Sequence, residues 1–289
     1  MNDLVELFGP EGALSKHTPQ FRSRPGQLAL AQTIDATITQ RGVLVAEAGT
    51  GTGKTLAYLV PAILSGAKVL VSTGTRTLQD QLFAKDLPLV RQALAVPLAV
   101  ALLKGRANYV CHHYLERLQD DPEALRSRNE IFWLRQIRQF AATSQTGDRA
   151  SLASVPEDAD IWNRVTSTRE NCLGQECPHI KECFVYKARR EAQDADLVVI
   201  NHALFMADAA LREEGISDLL PEADVVIFDE AHQLPAVATR FLGQSISTGQ
   251  LQDLARQTEA MGLAHARVAL KWSQISEALS QSVKAWRLA

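Results

Sequence analysis

One short stretch constrains this chain more than any other: Ala48-Gly-Thr-Gly-Thr-Gly-Lys-Thr55. It follows an apolar run, Gly42-Val-Leu-Val-Ala-Glu47, that reads as a buried strand, and it leads into Lys54 to Leu64, which reads as a helix. The alternating glycines let the backbone wrap closely around an anion, and the helix N-terminus presents unbonded N–H groups to it. Ala48, Gly49, Thr50, Gly51, Thr52 and Gly53 are therefore candidate phosphate contacts. Lys54 is suited to the β- and γ-phosphates and Thr55 to a Mg²⁺ ion. Ala48 stands where the strict pattern has glycine. A strand–loop–helix unit of this kind commits the chain to an α/β fold.

The remaining pattern agrees. Lys68-Val-Leu-Val-Ser-Thr73, Leu98 to Leu103, Asp196-Leu-Val-Val-Ile200 and Asp224-Val-Val-Ile-Phe-Asp229 are further short apolar runs separated by helical stretches. Buried strands alternating with helices predict a parallel sheet covered on both faces. The alternation breaks between about 104 and 190, where a helical segment near 130–142 precedes a polar, turn-rich stretch from Thr143 to Asp160. After Asp229 the chain turns helical and polar, with Leu251, Leu254, Leu270, Ile275 and Leu279 at helical intervals. The length of 289 residues is a soft prior for about two domains.

Asp229-Glu-Ala-His232 follows the last apolar run. The C-terminal end of a strand is where an α/β sheet places a Mg²⁺ ligand. Glu230 beside it is suited to polarising an attacking water, and His232 completes the catalytic candidates. Together with the phosphate loop, this pair of motifs predicts nucleotide hydrolysis. Upstream, Arg24-Pro-Gly-Gln27 has two readings. Gln27 carries the donor and acceptor that adenine needs, and Pro25 suits the first turn of a helix. Ser72-Thr-Gly-Thr75 is similarly double: hydroxyls for a nucleic-acid backbone, or a helix cap.

All four cysteines, Cys111, Cys172, Cys177 and Cys183, fall in the interrupted region, with sixty, four and five residues between them. The N-terminus has no basic segment of a secretory signal, so structural disulfides fit poorly. On spacing, an iron–sulfur cluster and a zinc site both stand, the latter helped by His112, His113 and His179; unrelated buried thiols are a third reading. The net charge of −3 gives no global field for nucleic acid. From Lys104 to Arg190 there are fourteen basic and twelve acidic side chains, so DNA binding must rely on local groups. Tyr186-Lys-Ala-Arg-Arg190, Arg164 and Arg169 are candidate phosphate contacts, and Tyr109 and Trp162 candidate stacking residues.

Five segments in order carry a family resemblance: Glu47 to Thr55, Lys104-Gly-Arg-Ala-Asn-Tyr-Val-Cys111, the Cys172/Cys177/Cys183 group, Asn201-His202 and Asp229-Glu-Ala-His232. The chain resembles superfamily 2 iron–sulfur DNA helicases of the DinG/XPD-like family. Thr166 to Gly174 and Ile227 to Pro235 are closest to its bacterial YoaA subgroup. The resemblance implies a RecA-like motor domain at 1–103 and 191–235, an iron–sulfur domain at 104–190, and the start of a helical arch domain at 236–289. It implies ATP and Mg²⁺ at Lys54, Thr55, Asp229 and Glu230, Gln27 facing adenine, and a [4Fe–4S] cluster on the four cysteines. It further implies 5′ to 3′ translocation on single-stranded DNA, forked or duplex DNA as substrate, and roles in repair or replication.

No counterpart of the family's second motor domain follows Asp229. The chain therefore resembles an N-terminal portion, expected to hold nucleotide and cluster but to hydrolyse ATP negligibly. A cytoplasmic, non-membrane monomer is expected, with a replisome protein among its partners. Two other readings remain: a nucleotide-binding, DNA-docking adaptor without unwinding activity, and a zinc-containing ATPase.

Overall fold

Four of the five apolar runs are strands in the computed structural model, which describes all residues except 1–3, 19–20, 50, 121–124, 126, 214, 216–218, 244–245 and 289. They are β1 (Val69–Thr73), β2 (Val100–Leu102), β3 (Leu197–Asn201) and β4 (Val225–Phe228). The sheet order is β2-β3-β1-β4, and every pairing is parallel. Val69 lies opposite Leu197 on one side and Val225 on the other.

Side chains alternate across a strand, and here both faces are apolar. Leu70, Val198 and Ile200 enter one buried cluster, while Val69, Val71, Leu197 and Val199 enter another. The second cluster is completed by the helices Lys54–Leu64 and Leu87–Leu94. The first is completed by the stretch between β2 and β3, through Tyr109, Ile137, Trp162 and Phe184. That stretch carries the helix Arg128–Thr143 and ends in the helix Phe184–Asp194. Tyr109 and Trp162 are thus core residues rather than stacking platforms: the Trp162 indole N–H donates to the Pro156 carbonyl, and the Tyr109 hydroxyl accepts from the Lys104 backbone N–H.

The fifth run, residues 42–47, forms no strand, contrary to expectation. Val43 and Val45 are 96% and 95% exposed. A strand is a property of two neighbouring chains, because its backbone groups must find partners across a ladder. Among the described residues β4 pairs only with β1, and nothing joins 42–47 to its free edge. The apolar run has composition for a strand but no neighbour.

One polar knot borders the first cluster, at Lys104, which follows the buried Leu103. The Lys104 ammonium, only 2% exposed, lies 2.6 Å from both Asp80 and Asp148. Asp80 belongs to the helix Arg76–Gln81 that leaves β1, whereas Asp148 heads the short turn Arg149–Ser151 between β2 and β3. Backbone pairing supports the same joint, with Val110 N–H donating to the Gly147 carbonyl at 2.9 Å.

The chain divides into two compact units, Met1–Val237 and Ala238–Ala289. In the second, the helices Thr248–His265 and Trp272–Leu288 pack on each other, with the Trp272 ring lying where a side chain at Gly262 would stand. Ser247 and Gln250 form a reciprocal capping box at the first of these helices. Among the described residues no helix is long and apolar enough to cross a membrane.

Candidate nucleotide site

The phosphate loop keeps its shape through contacts within itself and with one distant residue. The Thr52 hydroxyl donates to the Gly49 carbonyl at 2.8 Å. Gly51 and Gly53 have φ of 74° and 82°, a left-handed conformation that glycine adopts without steric cost. Gly53 also has no room for a side chain, because the Gln27 amide occupies that place. Gln27 is buried, and its Nε2 donates to the Gly53 carbonyl at 2.9 Å. Pro25 is the first residue of its helix and Arg24 the N-cap, so the helix-start reading of Arg24-Pro-Gly-Gln27 holds, while Gln27 braces the loop. Thr50 lies outside the described residues.

Lys54 and Thr55 open the helix Lys54–Leu64, and β4 runs into Asp229 and Glu230. These ends meet. The Lys54 ammonium is 3.3 Å from a Glu230 carboxylate oxygen, 176 positions away in sequence. The Tyr58 hydroxyl is 3.3 Å from Asp229 Oδ2. Asp229 N–H donates to the Ser72 carbonyl at 2.8 Å, so the β1–β4 ladder fixes its backbone. Burial, and then the adjacent Glu230 carboxylate, push the Asp229 carboxyl above its ordinary range; the Tyr58 hydroxyl and Lys54 oppose this. A carboxylate in that position gains from a cation.

Glu230 has φ 59° and ψ 43°, a conformation costly for a side-chain-bearing residue at about 1–3 kcal/mol. That turn directs Glu230 to Lys54, with His232 Nδ1 at 3.4 Å from its other oxygen. His232 itself is largely exposed. Gln233 presses on Gly74, where a Cβ would collide with its amide. In Ser72-Thr-Gly-Thr75, Ser72 and Thr73 are buried, and Thr75 caps the helix Arg76–Gln81 by accepting from the Leu78 N–H. The cap reading holds for Thr75, and Ser72 is turned inward.

The donors around the helix start are hard oxygens: the Thr55 hydroxyl and the Asp229 and Glu230 carboxylates. They suit Mg²⁺, which takes one or two protein ligands and keeps water and phosphate oxygens for the rest. Among the described residues no three His, Cys, Asp or Glu side chains form a metal-holding group of their own.

The cysteines are all free and half-buried. Cys111 N–H donates to the Val165 carbonyl at 2.8 Å, and Cys183 caps the helix Phe184–Asp194. Burial pushes the Cys111 thiol up; backbone N–H groups of Tyr114 and His113 oppose this, and Cys183 and Cys177 add to it. Arg189 is within electrostatic reach of Cys172 and Cys183. Nearby, His179 Nε2 lies 2.8 Å from Glu116, and the rings of His112 and His113 are 6.3 and 6.4 Å from His179. Of the DNA-contact candidates, Tyr186 and Lys187 are exposed, and Arg164 pairs with Glu130 at 3.3 Å.

Three residues here carried no assigned role in the sequence. Tyr58 has a usable signal, its place one turn beyond Lys54 on the same helical face. His202 is fully buried with Nδ1 2.7 Å from the Ser72 hydroxyl, tying the ends of β3 and β1. Lys104 reveals itself only through its distant partners.

Two family models match the chain in order: DEAD/DEAH box helicase over residues 28–109, and DEAD_2 over residues 150–251. The chain is 45% identical over 290 residues to the ATP-dependent DNA helicase YoaA of Escherichia coli strain K12, covering 99% of this chain and 45% of that protein. It is 42% identical over 289 residues to YoaA of Haemophilus influenzae, with the same coverage of 99% and 45%. Identity to the ATP-dependent helicase DinG of Mycobacterium tuberculosis is 37% over 257 residues, covering 81% of this chain and 38% of that one. The chain thus spans a little under half the length of the YoaA relatives. The two models cover the phosphate loop and the Asp229-Glu-Ala-His232 motif, and with the parallel sheet that brings those motifs together, the chain belongs to the DinG/YoaA-like helicase family.

Proposed function

We propose that the whole protein is an ATP-dependent DNA helicase that moves 5′ to 3′ on single-stranded DNA and separates forked or duplex DNA in repair or replication. The observation that carries this reading is the meeting of Lys54 with Glu230 at 3.3 Å, which unites the phosphate loop with the acidic motif. Lys54 and the loop N–H groups bind the phosphates, and Gln27, through its remaining oxygen, faces adenine. Thr55 and Asp229 would hold Mg²⁺, which would supply positive charge against the phosphates. The γ-phosphate competes with Glu230 for the Lys54 ammonium. Glu230, released from that pair, orients the attacking water and takes its proton. His232, beside Glu230, helps to hold it in place.

Within this reading the stretch 104–190 is an iron–sulfur domain, and the helices after about 236 begin an arch domain. The four cysteines hold a [4Fe–4S] cluster. Support comes from four unpaired thiols in one stretch, with Cys111 in reach of Cys177 and Cys183. DNA runs past exposed groups such as Tyr186 and Lys187. The setting is cytoplasmic, the chain acts as a monomer, and a replisome protein is a partner.

Two measurements test this. Full-length protein should separate a forked duplex only with ATP and Mg²⁺; DNA binding without ATP-driven separation would support the adaptor reading instead. Protein purified without oxygen should be brown and contain iron and sulfide, both lost in Cys177→Ser. A colourless, zinc-loaded protein would overturn the cluster.

A further inference from the structure

We infer that Tyr58 is a positioning residue that aims the Asp229 carboxylate at the metal position. The inference rests on the nucleotide-site reading above and extends it to a residue outside the motifs. Tyr58 lies four residues after Lys54 and three after Thr55, on the same face of the helix Lys54–Leu64. Its ring belongs to the buried cluster of Leu59, Val71 and Leu87, and the residue is only 6% exposed. A phenylalanine would fill that space equally. Burying a hydroxyl costs free energy unless it is hydrogen-bonded, so the oxygen needs a reason to be there.

That reason is at 3.3 Å, where Asp229 Oδ2 accepts from the hydroxyl. Thr55, three residues earlier on the same helix face, lies within electrostatic reach of the phenol. Tyr58 therefore stands between the two groups proposed to meet Mg²⁺, one from the phosphate-loop helix and one from the end of β4. A phenol is protonated at neutral pH, so the hydroxyl is a donor to the Asp229 carboxylate. The backbone of Asp229 is already fixed by its bond to Ser72. What stays free is rotation of the carboxylate, and a donor on Oδ2 removes it, leaving Oδ1 for the cation. Groups of this kind, one bond removed from a metal, typically change its affinity 10–100-fold when deleted.

The test uses this 289-residue chain and a fluorescent ATP analogue titrated with Mg²⁺. In Tyr58→Phe the metal-free nucleotide affinity should match wild type, because no phosphate contact is lost. The Mg²⁺ concentration giving half of the metal-dependent binding should rise about tenfold. Far-UV circular dichroism and the unfolding midpoint check that the variant is folded. Should it unfold, 4-fluorophenylalanine at position 58, which fills the volume of the hydroxyl without a donor, should shift the Mg²⁺ midpoint by the same factor. An unchanged midpoint in a folded Tyr58→Phe, with wild type showing Mg²⁺-dependent binding, overturns the role of Tyr58 alone. Absence of Mg²⁺-dependent binding in wild type overturns the site reading and this inference together.

Discussion

Lys54→Ala is expected to lower DNA-stimulated ATP hydrolysis by the full-length protein by roughly 10²–10³-fold, the usual cost of removing one charge-stabilising donor from a reaction centre. The electrostatics of the site explain why. Asp229 and Glu230 lie side by side, and Lys54 pairs with Glu230 at 3.3 Å. Burial and Glu230 already push the Asp229 carboxyl up, and Lys54 is one of the groups restraining that rise. Without Lys54, the arriving phosphates face two carboxylates and lose their cationic partner. Nucleotide binding should weaken in the 289-residue chain as well, which separates loss of binding from misplacement of DNA. Phosphate release with and without single-stranded DNA measures the effect. Wild-type turnover in Lys54→Ala would refute the assignment.

The second large effect concerns stability. Lys104→Ala should cost about 3 kcal/mol, the low end for removing one partner of a buried ion pair, because only Asp148 of its two acids is buried. Lys104 is 2% exposed and sits 2.6 Å from both Asp80 and Asp148, and Asp148 is itself only 13% exposed. Taking away the ammonium leaves the Asp148 carboxylate without its buried partner, while Asp80, 43% exposed, keeps water to screen it. The loss should be relieved when the acids are neutralised too: Lys104→Met with Asp80→Asn and Asp148→Asn should recover much of it, since a buried charge group replaced as a whole is often neutral. Urea unfolding of the single and triple variants reads both values. A Lys104→Ala chain as stable as wild type would show that the knot contributes nothing.

These two lysines also mark what can be read from the chain alone. Lys54 is visible because its loop, helix and strand context are contiguous, and the phosphate function follows from local chemistry. Lys104 opens one of the segments that carry the resemblance, but its structural role is invisible because its partners, Asp80 and Asp148, are fixed only by the packing of separate segments. Tyr58 falls between: its helical spacing from Lys54 is readable, but the contact with Asp229 spans 171 positions. The strands followed a similar rule. β1, β3 and β4 fall within the apolar runs to within a residue or so, since continuous apolar character is what burial on two faces demands. Residues 42–47 have the same character and fail, because pairing depends on a neighbour that local composition does not specify. Tyr109 and Trp162 fail differently. An aromatic ring serves a base stack or a core equally well, and here the core takes both.

The free edge of β4 has a practical consequence. Among the described residues its outer backbone groups have no ladder partner, and with the exposed Val226 they are a template onto which an extended segment from another molecule can add. Parallel or antiparallel addition would satisfy those groups and cover Val226 in a single step. Concentration is therefore a variable in handling this chain: dilute solutions favour the lone molecule, and crowding favours strand exchange between copies. A charged residue at Val226 would act as a gatekeeper, at the rim of the sheet and far in character from the chemistry of the loop.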